Sequence, residues 1–330
     1  MTVLRDKYGR QITDLRISIT DRCNYKCVYC RTGTMGAQFP EMPIEEYLRM
    51  ARVFVGLGIT KIRLTGGEPL LRHGLIDMVR ELAEMRTGDS KNLDIAITTN
   101  GHLLAEMAEP LKRAGLTRVT VSMDAMEPVR FARITRVANA YENVMAGVWE
   151  AKRVGLAPLK VNCVLLRGFN DDQIVEFGKF AREEDVVVRF IEFMPLEEDR
   201  VWSPEIVVTM KEILARMAEF MPLREITRGE SETARRFVFE DGKGEIGIIA
   251  PVSNPFCGHC SRIRVTSDGK IRTCLFSVVE HDLAGLMRSG ASDEDMAEFI
   301  ADAVEHKEER HHIGEPGFMP ASRSMVHIGG

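Results

Sequence analysis

The sequence predicts an α/β fold, namely a partial (β/α)6 TIM-like barrel followed by a C-terminal extension. Strand-like runs alternate with helical runs over the first 200 residues, and the six pairs are fewer than the eight of a closed barrel. The strand-like runs are Leu15–Thr20, Lys61–Gly66, Asp94–Asn100, Arg118–Asp124, Leu159–Leu166 and Val186–Met194. The clearest helical runs between them are Ile44–Leu57, Gly74–Met85 and Ala140–Val154. The extension would then comprise residues 201–330.

Composition and charge are typical of an ordinary globular protein. The 330 residues are 45% hydrophobic and 28% charged, and the net charge of −5 gives no general attraction to nucleic acid or to an anionic membrane. No apolar run approaches the roughly 18 residues that a membrane span needs, and no signal peptide precedes the first strand. Seven cysteines without a secretory signal indicate metal ligands rather than disulfides. We therefore expect a cytoplasmic protein.

The alternation of side chains along the strands predicts a polar cavity inside the barrel. In the first strand Leu15 and Ile17 face one way, and Arg16 faces the other. The polar faces of the first five strands comprise Arg16, Ser18, Thr20, Arg63, Thr65, Thr98, Asn100, Thr120, Ser122, Asp124, Lys160 and Asn162. These residues could instead pair with one another in a tight core, but unpaired buried cations would make such a core unfavourable. The sixth strand leaves Arg189 unassigned, because Arg189 shares a face with Ile191 and Phe193.

A three-cysteine loop, Cys23-x3-Cys27-x2-Cys30, follows the first strand directly. Three thiolates can bind three irons of a [4Fe–4S] cubane and leave the fourth iron open to a small molecule. Ferredoxins close their clusters with four cysteines and space them as C-x2-C-x2-C. From the residues alone, a structural zinc knuckle or a redox thiol pair is also possible.

With Tyr29 before its last cysteine, this loop resembles the cluster loop of the radical S-adenosylmethionine (SAM) enzymes. The resemblance implies that Cys23, Cys27 and Cys30 hold a radical-generating [4Fe–4S] cluster. Its open iron would chelate SAM, and one electron would cleave SAM to methionine and a 5′-deoxyadenosyl radical. The segment Gly66-Gly67-Glu68-Pro69, which alone could be a plain turn, resembles the family segment that holds the amino group of SAM. The SAM contacts implied by the resemblance are Tyr29, Gly67, Ser122 and Met194, with Tyr29 and Met194 acting through backbone atoms.

A second set of three cysteines, Cys257-x2-Cys260-x13-Cys274, lies in the extension. The run Ser267-Asp-Gly-Lys270 is typical of a hairpin turn, which would bring Cys274 back beside the other two. Zinc and iron are equally compatible with these three residues alone, and we expect His259 to point outward. Three cysteines without a fourth ligand again suggest a cubane with one open iron, so the extension would carry a second Fe–S cluster.

Basic residues gather on the predicted interior faces. Arg262 and Arg264 follow Cys260 at a spacing that puts both on one face of a strand. Together with Arg16, Arg63 and Lys160 they make five cations, and arginine forks suit bidentate phosphate recognition. The predicted ligand is a polyphosphate. The alternative is ordinary ion pairing of these cations to Glu68, Asp124 or Glu192.

Two three-cysteine sets, the arginine pair and a chain ending Ile328-Gly329-Gly330 together resemble the molybdenum-cofactor biosynthesis protein A (MoaA) family. The resemblance implies a GTP 3′,8-cyclase that forms (8S)-3′,8-cyclo-7,8-dihydroguanosine 5′-triphosphate. The implied GTP-binding residues are Arg16, Arg63, Thr98, Lys160, Arg262 and Arg264. The open iron of a second [4Fe–4S] cluster at Cys257, Cys260 and Cys274 would meet the guanine, and Gly329 and Gly330 would reach into the cavity. Arg31 departs from the family pattern, which has an apolar residue there.

The same resemblance implies the domain division and the partners. Residues 1–200 would form the barrel with the first cluster, and residues 201–330 would carry the second cluster and the Gly-Gly tail. The implied partners are GTP, an external electron donor of flavodoxin or ferredoxin type and a downstream cyclic pyranopterin monophosphate synthase. Neither nucleic acid nor membrane is expected, and a homodimer is allowed. Two alternatives stay open, a radical SAM enzyme whose auxiliary cluster serves a peptide substrate and a non-enzymatic Fe–S carrier or scaffold.

Two further predictions concern residues outside these motifs. Cys163 shares the apolar parity of its strand, so we expect it in the core. His306, His311 and His312 lie in a charged segment, and we expect them to be exposed to solvent.

Overall fold

The computed structural model describes residues 3–31, 37–197, 202–227, 229 and 232–328. Its strands are β1 (Asp14–Ser18), β2 (Lys61–Thr65), β3 (Asp94–Thr99), β4 (Arg118–Ser122), β5 (Lys160–Leu165), β6 (Val187–Glu192), β7 (Leu223–Ile226), β8 (Arg235–Phe239), β9 (Glu245–Ile249), β10 (Arg262–Val265), β11 (Lys270–Arg272) and β12 (His281–Asp282). Its α-helices are α1 (Ile44–Gly56), α2 (Leu75–Glu84), α3 (Leu104–Arg113), α4 (Pro128–Thr135), α5 (Ala140–Arg153), α6 (Ile174–Glu184), α7 (Met210–Phe220), α8 (Leu283–Arg288), α9 (Asp293–Glu305) and α10 (Met325–Ile328). Short 3-10 turns cover Pro69–Leu71, Asp171–Gln173, Pro204–Ile206 and Cys257–His259.

The predicted α/β class is confirmed, and all six predicted strands are present as β1 to β6. They pair in parallel and in chain order, and the predicted helices are present as α1, α2 and α5. The βα units arise because short apolar strands alternate with amphipathic helices, which cover one face of the sheet. Each helix in the described residues is too short or too polar to cross a membrane.

The C-terminal part of the chain widens the same sheet at both edges. The strand order is β12-β11-β10-β1-β2-β3-β4-β5-β6-β9-β8-β7. Strand β10 pairs in parallel with β1, and β9 pairs in parallel with β6. Strands made before and after residue 200 therefore share one sheet, and the division of the chain at that residue stays a prediction.

The two faces of β1 show why the sequence folds in this way. Leu15 and Ile17 are buried in the hydrophobic core, whereas Arg16 between them faces a cavity. The predicted hairpin is also present, because β10 and β11 pair antiparallel around a turn in which Gly269 has a φ of 82°. An L-residue rarely adopts that backbone conformation, so glycine is favoured at the turn.

Candidate active site

One cavity of about 270 Å³ opens at the carboxyl ends of the central parallel strands, where α/β folds place their sites. Its lining includes all six cysteines of the two sets. It also includes most of the other predicted site residues, which are Tyr29, Gly67, Ser122, Met194, Arg16, Arg63, Thr98, Arg262 and Arg264. Lys160 instead lines a smaller neighbouring cavity of about 60 Å³. The predicted tail residues Gly329 and Gly330 lie outside the described residues.

Two glycines hold the first cysteine loop against the end of β2. The backbone N–H of Gly67 donates to the carbonyl of Thr20 over 2.8 Å. A Cβ at Gly66 would overlap that carbonyl oxygen, and a Cβ at Gly67 would overlap the carbonyl oxygen of Arg22. Only glycine permits this close approach of two backbones. The Gly-Gly pair therefore has a packing role in addition to any contact with a ligand.

Glu68 connects β2 and β3 beneath this loop. Its carboxylate is fully buried and accepts hydrogen bonds from the Thr99 hydroxyl and from the backbone N–H groups of Leu70 and Asn100. Burial raises the pKa of Glu68 to about 7. The side-chain amide of Asn100 then donates to Asn24, within the cysteine loop, over 2.7 Å. The loop is thus fixed by the ends of two neighbouring strands.

Tyr29 and Asp124 join the loop to β4 and β5. The Tyr29 hydroxyl donates to one carboxylate oxygen of Asp124 over 2.7 Å, and the backbone N–H of Val164 donates to the other over 2.8 Å. Burial raises the pKa of Asp124 to about 6. The Tyr29 hydroxyl is thus engaged within the protein, and the contact of the Tyr29 backbone to a ligand stays a prediction.

Three arginines stand side by side in one row of the sheet. The register of the parallel strands pairs Arg16 of β1 with Arg63 of β2 and with Arg264 of β10. The Arg63 guanidinium donates to the hydroxyls of Thr98 and Thr120. The Nε of Arg16 is buried and has no hydrogen-bond partner in the part of the chain that the structure describes. Like charges on adjacent strands repel one another, so the row favours the binding of an anion.

Burial and mutual repulsion perturb these cations strongly. Burial and the charge of Arg262 lower the pKa of Arg16 to about 9. Burial and the charge of Arg189 lower the pKa of Arg63 to about 10. The pKa of Arg264 is well below its usual range, because it is buried beside Arg16 and Arg262. An anionic ligand would relieve this repulsion.

Arg189 is a cation of this site that the sequence left unassigned. Its guanidinium donates to the side-chain oxygen of Asn162 over 2.9 Å and to the hydroxyl of Thr120 over 3.2 Å. The residue faces the cavity together with Ile191 and Phe193 of the same strand face. The register between β5 and β6, which pairs Asn162 with Arg189, settles an orientation that alternation along β6 alone could not.

The three acids that could have paired with these cations are engaged elsewhere. Glu68 and Asp124 accept the hydrogen bonds described above. Glu192 accepts from the backbone N–H groups of Met210, Val252 and Ser253. Ion pairing of the cations to these acids was therefore the wrong alternative. Acids do occur at the smaller cavity beside Lys160, where Glu232 and Glu245 are part of the lining.

The second cysteine set is held by two buried cations that sequence reasoning missed. The Arg10 guanidinium donates to the carbonyls of Cys257, Glu308 and Glu309 over 2.8, 2.6 and 2.7 Å. The Lys307 ammonium donates to the carbonyl of Arg262 over 3.0 Å and also to that of Thr273. No local motif marks either role, because the carbonyls that these two residues bind are distant in sequence.

Arg262 lies beside the second cysteine set. Its guanidinium centre is 4.9 Å from the ring centroid of Phe256, and it hydrogen-bonds Cys260. Burial alone would raise the pKa of the Cys260 thiol, but the charges of Arg262 and Lys307 lower it to about 6. This cysteine is therefore the one most readily present as the thiolate, which is the form that binds metals.

The histidines of the C-terminal segment divide into two groups. His259, His306 and His312 are exposed, as predicted. The prediction for His311 was wrong, because Phe276 packs against it with ring centroids 5.2 Å apart and the residue lines the cavity that both cysteine sets share. Burial lowers the pKa of His311 to about 4. Cys163 is fully buried, as predicted.

The donor chemistry of both cysteine sets fits iron–sulfur clusters. Each set offers three thiols that form no disulfide, and all six thiols line one cavity. In the described part of the chain, no group of three or more His, Cys, Asp or Glu side chains has the arrangement to hold a metal ion. A cubane binds each thiolate to a separate iron, so the cysteines of one set need not converge on a single point.

Two family models match successive parts of the chain. A model of the radical SAM superfamily matches residues 17–181, which is half of the chain. A model described as Molybdenum Cofactor Synthesis C matches residues 186–313. The first match contains the first cysteine set, and the second contains the other set.

Curated relatives match the chain over nearly its full length. A protein named GTP 3′,8-cyclase from Peptoclostridium acidaminophilum is 40% identical over 333 residues, which cover 100% of this chain and 99% of the relative. A protein of the same name from Moorella thermoacetica is 41% identical over 331 residues, covering 99% of this chain and 100% of the relative.

Solved structures share the fold at low sequence identity. Streptococcus suis SuiB bound to S-adenosylmethionine has a TM-score of 0.62 at 13% identity, and the match covers 84% of this chain and 64% of that one. SuiB bound to the precursor peptide SuiA has a TM-score of 0.61 at 14% identity, with coverages of 91% and 66%. This chain thus spans less than two thirds of the first of these structures. At such identities the likeness concerns the fold alone.

Proposed function

Since this chain belongs to the radical SAM superfamily and to the family of GTP 3′,8-cyclases, we propose that it converts GTP to (8S)-3′,8-cyclo-7,8-dihydroguanosine 5′-triphosphate in molybdenum cofactor biosynthesis. Family membership confirms the resemblance noted from its motifs and makes the chain an enzyme. The observation that supports GTP as the substrate is the row of Arg16, Arg63 and Arg264. This row faces the same cavity as both cysteine sets.

The first cysteine set would hold the cluster and SAM that a radical SAM enzyme uses. Cys23, Cys27 and Cys30 supply the thiols, and Tyr29, Gly67, Ser122 and Met194 are the proposed contacts to SAM. When bound, this pair supplies the one-electron chemistry that removes a hydrogen atom from C3′ of the ribose. The glycines and Tyr29 would fix the loop, so that the reacting groups meet in one orientation.

The cations would bind the triphosphate. The proposed contacts are Arg16, Arg63, Thr98, Lys160, Arg262 and Arg264, to which the structure adds Arg189 as a candidate. Guanidinium groups bind phosphate oxygens in pairs, and the pKa values lowered by burial and repulsion would return toward normal beside an anion. Lys160, at the smaller cavity, would reach the end of the triphosphate farthest from the cysteines.

The second cysteine set would hold another [4Fe–4S] cluster, at Cys257, Cys260 and Cys274. Its open iron would face the guanine end of the nucleotide, and the tail at Gly329 and Gly330 would complete the cavity. Arg10 and Lys307 support this proposal, because they fix the loops on which the three cysteines lie. We expect about eight irons per chain for two cubanes, and zinc in place of iron at these cysteines would exclude the second cluster.

The reaction would also involve partners beyond the substrate. One hydrogen atom leaves C3′, and the C3′–C8 bond forms. An electron and a proton then restore the number of hydrogen atoms, so the product is an isomer of GTP. The proposed source of electrons is a protein of flavodoxin or ferredoxin type. The proposed consumer of the product is a cyclic pyranopterin monophosphate synthase.

A labelled substrate tests the proposal directly. The iron-loaded protein is incubated without oxygen with SAM, a reductant and GTP carrying deuterium at C3′, and the 5′-deoxyadenosine formed is analysed by mass spectrometry. We expect one deuterium in that product and a GTP isomer separable by chromatography. GTP labelled at C2′ is the matched control and should transfer none. Deuterium from neither substrate, or 5′-deoxyadenosine formed only with a peptide, would contradict the proposal.

A further inference from the structure

Two polar atoms of His311 have no hydrogen-bond partner among the residues that the structure describes. These atoms are the ring nitrogens Nδ1 and Nε2, which are shielded from solvent and form no hydrogen bond within the described part of the chain. The same side chain lines the cavity that both cysteine sets share. Buried polar groups are nearly always hydrogen-bonded, because leaving one unpaired is unfavourable. An unpaired imidazole facing a cavity therefore indicates a group that hydrogen-bonds a ligand there.

The ring of His311 is held in a defined place beside the second cysteine set. Its backbone N–H hydrogen-bonds Cys257, and its ring packs on Phe276 at an interplanar angle of 59°. The preceding residues are fixed as well, since Arg10 binds the carbonyls of Glu308 and Glu309. A side chain fixed by its surroundings loses little conformational freedom when it binds a ligand.

His311 lies on a different segment of the chain from the arginine row, and Arg262 is a proposed phosphate-binding cation close enough to act on it. Arg16, Arg63 and Arg264 lie on the strands of the sheet, whereas His311 lies on the C-terminal segment next to Cys257. A nucleotide whose phosphates contact the arginine row would direct its base toward the second cysteine set. The base is thus the part of the ligand within reach of the imidazole.

We propose that His311 positions the guanine of the bound nucleotide through a hydrogen bond from its ring N–H to the O6 and N7 edge of the base. An uncharged imidazole has one donor and one acceptor, and guanine presents two acceptors on that edge. This inference rests on the proposed function, since it takes GTP as the ligand. It assigns His311 to base recognition, a role separate from triphosphate binding by the cations.

The test compares affinities for GTP and for inorganic triphosphate in the iron-loaded protein under anaerobic conditions, by equilibrium dialysis. His311→Phe keeps the packing on Phe276 but removes both nitrogens. We expect it to weaken GTP binding about tenfold, the effect of one hydrogen bond, and to leave inorganic triphosphate binding unchanged. His311→Gln keeps a donor and should recover part of the GTP affinity. His312→Phe is the matched control, because His312 is exposed and bonds only Glu315 among the described residues.

The possible outcomes distinguish this inference from the proposed function. If the wild-type protein does not bind GTP, both proposals fail. If it does, and His311→Phe binds GTP equally well, only the role of His311 is overturned. Equal losses for GTP and for inorganic triphosphate would also overturn it, because they would indicate a general structural effect. Loss of iron from His311→Phe and His311→Gln in the absence of nucleotide would also overturn the role of His311 in base recognition, since His311 would then be a cluster ligand.

Discussion

Single residues decide how the cysteine loop meets the sheet. Gly66 and Gly67 leave room for the carbonyl oxygens of Thr20 and Arg22, and a methyl group at either position has no free space. The resemblance of the sequence predicts Gly67 as a contact to SAM. Here the packing requirement is independent of any ligand, so the structure predicts a defect even in the protein without SAM.

Gly67→Ala should therefore impair the first cluster site. The added methyl group would push against the backbone of Arg22, a steric cost of about 1–3 kcal/mol, and would displace the loop that carries Cys23. We expect fewer irons per chain after reconstitution and a lower thermal midpoint. Gly56→Ala is the matched control, because a Cβ at Gly56 meets no atom within 4 Å. Equal iron content in the two variants would refute the packing role.

Individual residues also show where prediction from the sequence succeeds and where it fails. Alternation along β1 and β2 sufficed to place Arg16 and Arg63 in the cavity, since their neighbours are clearly apolar. The same rule did not place Arg189, because Ile191 and Phe193 on its face are apolar as well. His311 was misplaced for a different reason. Its neighbours in sequence are charged, and the ring that buries it, Phe276, comes from another part of the chain.

At the scale of elements, β1 is the common support of both cysteine sets. The first set follows β1 directly, and the second precedes and follows β10, its parallel neighbour. The sequence predicted the hairpin of β10 and β11 from its turn residues. It could not predict that this hairpin would join β1, because strand pairing between distant segments leaves no local signal. The placement of both sets at one cavity is thus a property of the sheet and not of either motif.

Lys307→Met tests how the second set is held. Lys307 is buried and ties the carbonyls of Arg262 and Thr273 to the segment after α9. Methionine has a similar length but no donor, so the carbonyls of Arg262 and Thr273 would lose a hydrogen bond and the Cys260 thiolate would lose a stabilising charge. We expect the iron content to fall to about half, as one of two cubanes is lost. Lys243→Met is the control and should leave the iron content unchanged, because Lys243 is exposed. An unchanged iron content in Lys307→Met would show that the hydrogen bonds of Lys307 are dispensable for the second set.

For the whole molecule, the buried cations predict how stability depends on pH. Burial and the charge of Arg189 lower the pKa of Lys160 to about 8, from 10.5 in an unfolded chain. The charged groups that act on Lys160 are Arg189, Glu232, Arg118 and Glu245. Between the two pKa values the unfolded chain binds more protons, so stability should rise as the pH increases from 8 toward 10.5. Below pH 8 both states are protonated, and the full penalty of the buried charge remains.

Thermal unfolding of the ligand-free protein at pH 7.5 and 9.5 checks this dependence. On going from pH 7.5 to pH 9.5, the thermal midpoint of the wild-type protein should rise relative to that of Lys160→Met, because the variant lacks the titrating group. Inorganic triphosphate should raise the midpoint of the wild-type protein at pH 7.5, because an anion favours the protonated lysine. The difference between the wild-type midpoints at pH 7.5 and pH 9.5 should then become smaller. The same response to pH in both proteins would show that Lys160 is not the source.

The pairing of β1 with β10 also has a consequence for synthesis on the ribosome. Asp14 pairs with Arg262, so the partner of the first strand is made when most of the chain has already emerged. A nascent chain that ends near residue 200 would present β1 and β6 as two bare edges, each with unsatisfied backbone groups. Such edges are prone to pair with other chains, and contacts between distant segments form slowly. The interval before β9 and β10 appear is therefore when this protein is most exposed to aggregation and would gain most from a chaperone.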